Sequence, residues 1–215
     1  MRLGDFRRIH VLLLVLGGLA AALPARAADL AVTPPVGLSS GLAPAPYDRF
    51  EARFGAFAHG TGSAEQGTIS LNAEIVTPRL YGVDGFWAFL VPRVHAGGFV
   101  NLSGRTNHAY GGLLWTIPVY KSWFVEGFFG AAIHDGSLAG TDRQAALGCY
   151  VLFNAGGSIG YRINQNWSVI GTFNHISNGN QVFDRRCSEN EVTALRSRGR
   201  NQGLNHWGAR ISYAF

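Results

Sequence analysis

Alternation with a period of two dominates this chain. From Asn205 to Phe215, the residues Trp207, Ala209, Ile211, Tyr213 and Phe215 interleave with His206, Gly208, Arg210, Ser212 and Ala214. One set is apolar and aromatic, and the other is mostly polar or small. Successive strand side chains point to opposite faces, so this pattern predicts a strand with one face in an apolar medium. The same alternation, interrupted by clusters of Gly, Asn, Asp and Pro, predicts strands at Phe50–Ala58, Thr68–Arg79, Phe86–Ala96, His108–Val119, Trp123–His134, Leu147–Arg162, Trp167–Asn178 and Asn205–Phe215. No segment of helical period competes with them.

The spacing between these strands narrows the fold class. The second, fourth and sixth connections, Leu80–Gly85, Tyr120–Ser122 and Ile163–Asn166, read as short, and the others as longer, the last running from Gly179 to Leu204. Short turns at one end opposite long loops at the other are the pattern of a membrane barrel. The expectation is an all-β, eight-stranded antiparallel up-and-down transmembrane β-barrel over residues 50–215, in the bacterial outer membrane with both termini periplasmic.

The first 27 residues read as a signal peptide, with Arg2, Arg7 and Arg8 before an apolar run from Val11 to Leu23 and a small-x-small site at Ala25-Arg26-Ala27. That run is too short for a spanning helix. A flexible segment is expected over residues 28–49, Pro-rich from Thr33 to Pro46.

Composition agrees with a barrel. Charged residues are 14% of the chain, against roughly 25% in soluble domains. The formal charge of +5 owes +3 to the signal peptide, which leaves too little to argue for nucleic acid. Arg185, Arg186, Arg196, Arg198 and Arg200 crowd into one loop, which reads equally as a solvated loop or as a contact for lipid phosphates. Cys149 and Cys187, the only cysteines of an exported chain, read as one disulfide. His134, Asp135 and His206 lack the spacing of a ligand set, so no metal is expected, and no cofactor.

The candidate chemistry lies at the end of the seventh strand. There His175 and Ser177 share the parity of Trp167, Val169 and Phe173, and therefore face lipid near the extracellular rim. Ionisable residues in that position are costly and usually functional. Residues two apart on a strand are neighbours about 6 to 7 Å along the chain, so a nucleophilic hydroxyl has a base on its own face. A third polar group must hold the imidazole. The candidates are Asn205, Glu189, Glu191 and Asp184, of which Asn205 is preferred because it lies on the adjacent strand with the lipid-facing parity of Trp207. Asn178 and the amide at Gly179 are candidate oxyanion donors where the strand ends. Glu74, Arg93, Glu126 and Arg210 are expected to pair inside the barrel.

These residues resemble the PagL-type lipid A 3-O-deacylase family. The resemblance rests on His175-Ile176-Ser177-Asn178-Gly179, on Asn201-Gln202-Gly203-Leu204-Asn205 and the aromatic last strand, with support from Gly104-Arg105-Thr106-Asn107 and His134-Asp135-Gly136. It implies a serine esterase that removes the 3-O-linked acyl chain from lipid A of lipopolysaccharide, with His175 as base, Ser177 as nucleophile and Asn178 in the oxyanion hole. Two departures stand out. Asn205 occupies the position of the family's Glu, and about twenty residues containing Cys187 separate the half-motifs. Counted from the serine alone, Glu189 falls at the family's spacing. The alternatives are a non-catalytic small barrel for envelope stability or surface binding, and an esterase or acyltransferase acting on ordinary phospholipids. A homodimer is left open.

Overall fold

Eight antiparallel strands, each paired with its sequence neighbours, close into a barrel in the order β1 to β8. They are β1 (Glu51–His59), β2 (Thr68–Arg79), β3 (Arg93–Asn101), β4 (His108–Tyr120), β5 (Trp123–His134), β6 (Val151–Arg162), β7 (Trp167–Ser177) and β8 (Leu204–Ala214). The structure is a computed structural model describing residues 48–82, 86–178 and 203–215. Closure comes from β1 against β8, with Glu51 opposite Ala214 and Ala58 opposite Trp207. Closing the sheet leaves no strand edge unpaired, which is what a β-structure must achieve in hydrocarbon. Among the described residues no helix is long and apolar enough to cross a membrane.

The period-two pattern sorts side chains as the sequence implies. On β8, Trp207, Ile211 and Tyr213 are exposed, while His206, Arg210 and Ser212 are buried. Trp123 stacks edge-on against Tyr161, and Trp167 packs against Tyr213, each pair on adjacent strands at the end where β4 turns into β5 and β6 into β7. Aromatic rings in that position form the interfacial girdle of a membrane barrel.

Two strands differ from the sequence expectation by more than one residue. The third strand does not begin at Phe86: Phe86–Leu90 form a single 3-10 turn. Pro92 follows, its carbonyl accepting from the Leu80 amide at 3.0 Å, and the strand starts at Arg93. It then runs through Gly97 and Gly98, which read in the sequence as a stop. Gly97 is there for space, since a β-carbon on it would lie 2.7 Å from Tyr110 Oη, the ring that β4 sends across the lumen. The β2–β3 connection is therefore longer than expected, while Lys121–Ser122 and Ile163–Asn166 are short. The second difference is at β6, which begins at Val151 rather than Leu147. The residues before it fold back over the mouth: Leu147 N donates to Ser137 O, Gly148 N to Leu138 O, and His134 Nε2 contacts Cys149 O at 2.5 Å. Ala145, Leu147 and Cys149 are buried there with Phe57, Phe99, Leu152, Ile176 and Leu204. Cys149 is disulfide-bonded, and Cys187, the chain's other cysteine, lies outside the described residues.

Below this apolar plug the lumen is ionic. Arg53 donates to Glu51 at 2.8 Å, Glu74 at 3.2 Å and Glu126 at 2.8 Å. Arg210 reaches Asn72, Glu74 and the Tyr110 hydroxyl, and Arg93 pairs with Glu51. Buried ions persist only where partners are dense, and here each carboxylate meets at least one guanidinium. Removing the Arg53 cation leaves Glu126 buried with no guanidinium, and takes one of two from Glu51 and from Glu74. Arg53→Leu is expected to destabilise the barrel by about 3–5 kcal/mol, read from urea unfolding in detergent micelles.

Loop β1–β2 is fastened to its neighbours by Glu65. Its carboxylate accepts from Thr106 N at 2.8 Å, Thr106 Oγ1 at 2.7 Å and Ala145 N at 3.0 Å, and contacts His59 Nε2 at 2.8 Å. Burial pushes this carboxyl up, but the hydrogen bonds from His59, Thr106 and Ala145 outweigh it and hold it below its ordinary value. A depressed carboxyl contributes stability that is complete above the unfolded value of about 4.3 and is lost as pH falls through the lower folded value. Glu65→Gln should lower Tm at pH 6, and the gap to the unaltered protein should close as pH falls toward 3, as differential scanning fluorimetry would show.

Candidate functional site

The sheet register places the candidate residues before any chemistry is invoked. His175 on β7 lies directly opposite Asn205 on β8, and on its other side faces Ala155 of β6, while Ser177 faces Phe153. Opposed residues have β-carbons about 4.5–5.5 Å apart, close enough for an imidazole and an amide to meet without strain. They do meet: His175 Nδ1 and Asn205 Oδ1 are 2.7 Å apart. Both point away from the lumen and are half-buried, as is Ser177, whereas Asn174, Ile176 and Asn178 alternate inward and are buried.

The serine and the imidazole border one point in space. A β-carbon built on Gly203, just before β8, would lie 2.7 Å from His175 Cε1 and 3.2 Å from Ser177 Cβ. Gly203 therefore lets β8 close against both groups, and the alternation rules do not expose that role. No hydrogen bond joins Ser177 Oγ to another group among the described residues. Asn205 engages the ring at Nδ1, so Nε2 is the nitrogen not taken by that contact.

The remaining sequence candidates are distributed less favourably. Asn178 is buried on the inward side, its Nδ2 donating to Leu147 O at 3.4 Å. That places its side chain on the opposite face of the strand from Ser177. Gly179, Asp184, Glu189 and Glu191 lie outside the described residues, as does the arginine cluster from Arg185 to Arg200. His134 ends β5 and Asp135 opens the next loop, where its carboxylate accepts from Asn107 N and Nδ2, both at 2.7 Å. Glu126, expected inside the barrel, is buried in the lumen against Arg53. Among the described residues no group of three or more His, Cys, Asp or Glu is arranged to hold a metal.

These features define an eight-stranded outer-membrane barrel whose polar constellation opens through the wall toward lipid. A family model described as Lipid A 3-O-deacylase (PagL) matches residues 68–191, more than half of the chain, and the chain belongs to that family. The match takes in His175, Ser177, Asn178, Glu189 and Glu191, and ends before Asn205. No curated protein matches the chain. Among solved structures, one titled as the crystal structure of the outer membrane enzyme PagL is similar, at 15% identity, over 75% of this chain and 97% of that one, with a TM-score of 0.49.

The close approach at Gly203 has a measurable consequence. Gly203→Ala puts a methyl group against His175 Cε1 and the Ile176 carbonyl, 2.5 Å away. The backbone cannot yield as a flexible side chain would, so the methyl is expected to force apart the ends of β7 and β8. Reactivity of Ser177 toward a fluorophosphonate should fall at least tenfold, with the heat-modifiable mobility of the folded barrel retained.

Proposed function

We propose that this protein is a serine esterase that removes the 3-O-linked acyl chain from lipid A in the outer leaflet. The observation that carries this reading is the 2.7 Å contact between His175 Nδ1 and Asn205 on the lipid-facing wall, two residues from Ser177. A hydroxyl is a weak nucleophile until a base takes its proton, and an imidazole fixed through one nitrogen presents the other as that base.

The sequence of events follows from those roles. Ser177 Oγ attacks the ester carbonyl while its proton passes to His175 Nε2. The tetrahedral oxyanion collapses, the C–O bond to the glucosamine 3-oxygen breaks, and the imidazolium returns the proton to that oxygen. Water, deprotonated by His175, then cleaves the acyl-serine, giving the free fatty acid and the original hydroxyl. Asn178 and the amide at Gly179 are the groups assigned to the oxyanion.

The third member is Asn205 in this reading. His175 Nδ1 accommodates one close partner, and Asn205 occupies it. An amide orients the ring without a charge to stabilise the imidazolium, so turnover slower than with a carboxylate is expected. Glu189 and Glu191, which lie within the family match, are the alternatives. The neutral residue at this position also favours a second reading, a non-catalytic barrel that serves the envelope or binds surfaces. A homodimer gains no support from the family.

Mass spectrometry of lipid A from cells expressing the protein is expected to show loss of one 3-O-hydroxyacyl chain. Ser177→Ala and His175→Ala should restore the unmodified species, and Asn205→Ala should reduce conversion by on the order of 10²-fold. Full activity of Asn205→Ala with loss in Glu189→Gln would transfer the third role to Glu189. Unmodified lipid A despite folded protein, with no fluorophosphonate labelling in lipid, would leave the non-catalytic reading.

A further inference from the structure

An asparagine beside a catalytic imidazole carries a hazard that a carboxylate does not. Its amide has an acceptor end and a donor end, and only the acceptor end, facing Nδ1, leaves Nε2 unprotonated. With the amide turned round, the ring proton moves to Nε2 and the base is lost. Something outside the pair must choose the orientation.

The β1–β2 loop meets this requirement. Asn205 Nδ2 donates to Thr61 O at 3.2 Å, and Thr61 N donates back to Asn205 O at 3.0 Å. A carbonyl oxygen only accepts, so it selects the NH2 end of the Asn205 amide and turns Oδ1 toward His175. A carboxylate at position 205 would instead set an oxygen against that carbonyl with no proton between them. The loop itself is a firm reference. Ser63 Oγ ties back to Gly60 O at 2.7 Å, and Glu65 fastens the segment to Thr106 and Ala145. Thr61 stands between Gly60 at φ 60° and Gly62 at φ 81°, both in the left-handed region that favours glycine.

We propose that Thr61 is a positioning residue: its main-chain carbonyl locks the Asn205 amide so that His175 carries its proton on Nδ1 and keeps Nε2 free. This rests on the esterase reading for its purpose, but not for its geometry. The lock also suits an asparagine at position 205, because here the loop carbonyl occupies the side of the residue that a second carboxylate oxygen would face.

The test is the tautomer of His175, read from 15N–1H long-range correlations of the imidazole in protein folded in lipid nanodiscs at a pH where the ring is neutral. In the unaltered protein the proton is expected on Nδ1; a proton on Nε2 overturns the proposal. Gly62→Val then turns the Thr61 carbonyl without touching the site. A β-carbon at Gly62 meets nothing within 4 Å, so only the left-handed backbone resists it. This variant should mix the tautomers and lower kcat roughly tenfold with KM little changed, while Gly62→Asn, which tolerates that backbone, should restore both. An unchanged tautomer in a folded Gly62→Val protein overturns the proposal, and Gly62→Ala takes its place should the valine variant not fold. A proton on Nδ1 in a protein without esterase activity supports the lock and removes the esterase reading.

Discussion

The register between β7 and β8 governs what the outer wall can present. His175 stands opposite Asn205 and Phe173 opposite Trp207, so a polar contact caps an aromatic one, with ring centroids 4.3 Å apart. Because the side-chain period is two, a slip of one residue would send the imidazole into the lumen and Ile176 into its place. Several interactions oppose such a slip. Ile176 and Leu204 are anchored in the apolar plug, and further along the strand Arg210 is tied to Asn72, Glu74 and Tyr110. The polar pair on the outside is thus held in phase by burial and ion pairing on the inside.

That division inverts the usual layering of a small protein. The exterior carries Trp, Tyr, Phe, Ile and Val, and the interior carries Arg53, Arg93, Arg210, Glu51, Glu74 and Glu126. With lipid outside, apolar surface gains nothing by turning inward, and the narrow lumen collects the charges instead. The ionic group lies in the half of the barrel nearest the short turns, and the apolar plug lies nearest the long loops. The candidate site sits outside the plugged half, where the β5–β6 and β1–β2 loops fold back over the barrel end.

Much of this was legible in the chain. Parity alone places Trp207, Ile211 and Tyr213 outside and Arg210 inside, and β2 and β5 run between the residues the pattern marks. It misplaces β3 because a lumen-crossing Tyr110 turns Gly97 from a stop signal into a packing requirement, which is a fact about a different strand. It starts β6 early because Leu147 and Cys149 are apolar for the sake of the plug rather than of a strand. In the site, the pairing of His175 with Asn205 follows from two parities and strand adjacency, whereas Glu189 and Glu191 lie in a loop with no periodicity to place them. Thr61 carries no signal at all, since its contribution is a main-chain carbonyl, visible only once three dimensions bring residues 61 and 205 together.

The aromatic girdle of Trp123, Tyr161, Trp167 and Tyr213 also acts as a ruler. From Trp167, ten residues of tilted strand climb about 25 Å to Ser177, close to the full height of the hydrocarbon slab such barrels span. Anchored at the inner boundary by indole and phenol rings, the wall carries Ser177 to the opposite boundary, where hydrocarbon meets the headgroup layer. Its hydroxyl therefore stands level with the outer headgroups rather than deep in hydrocarbon.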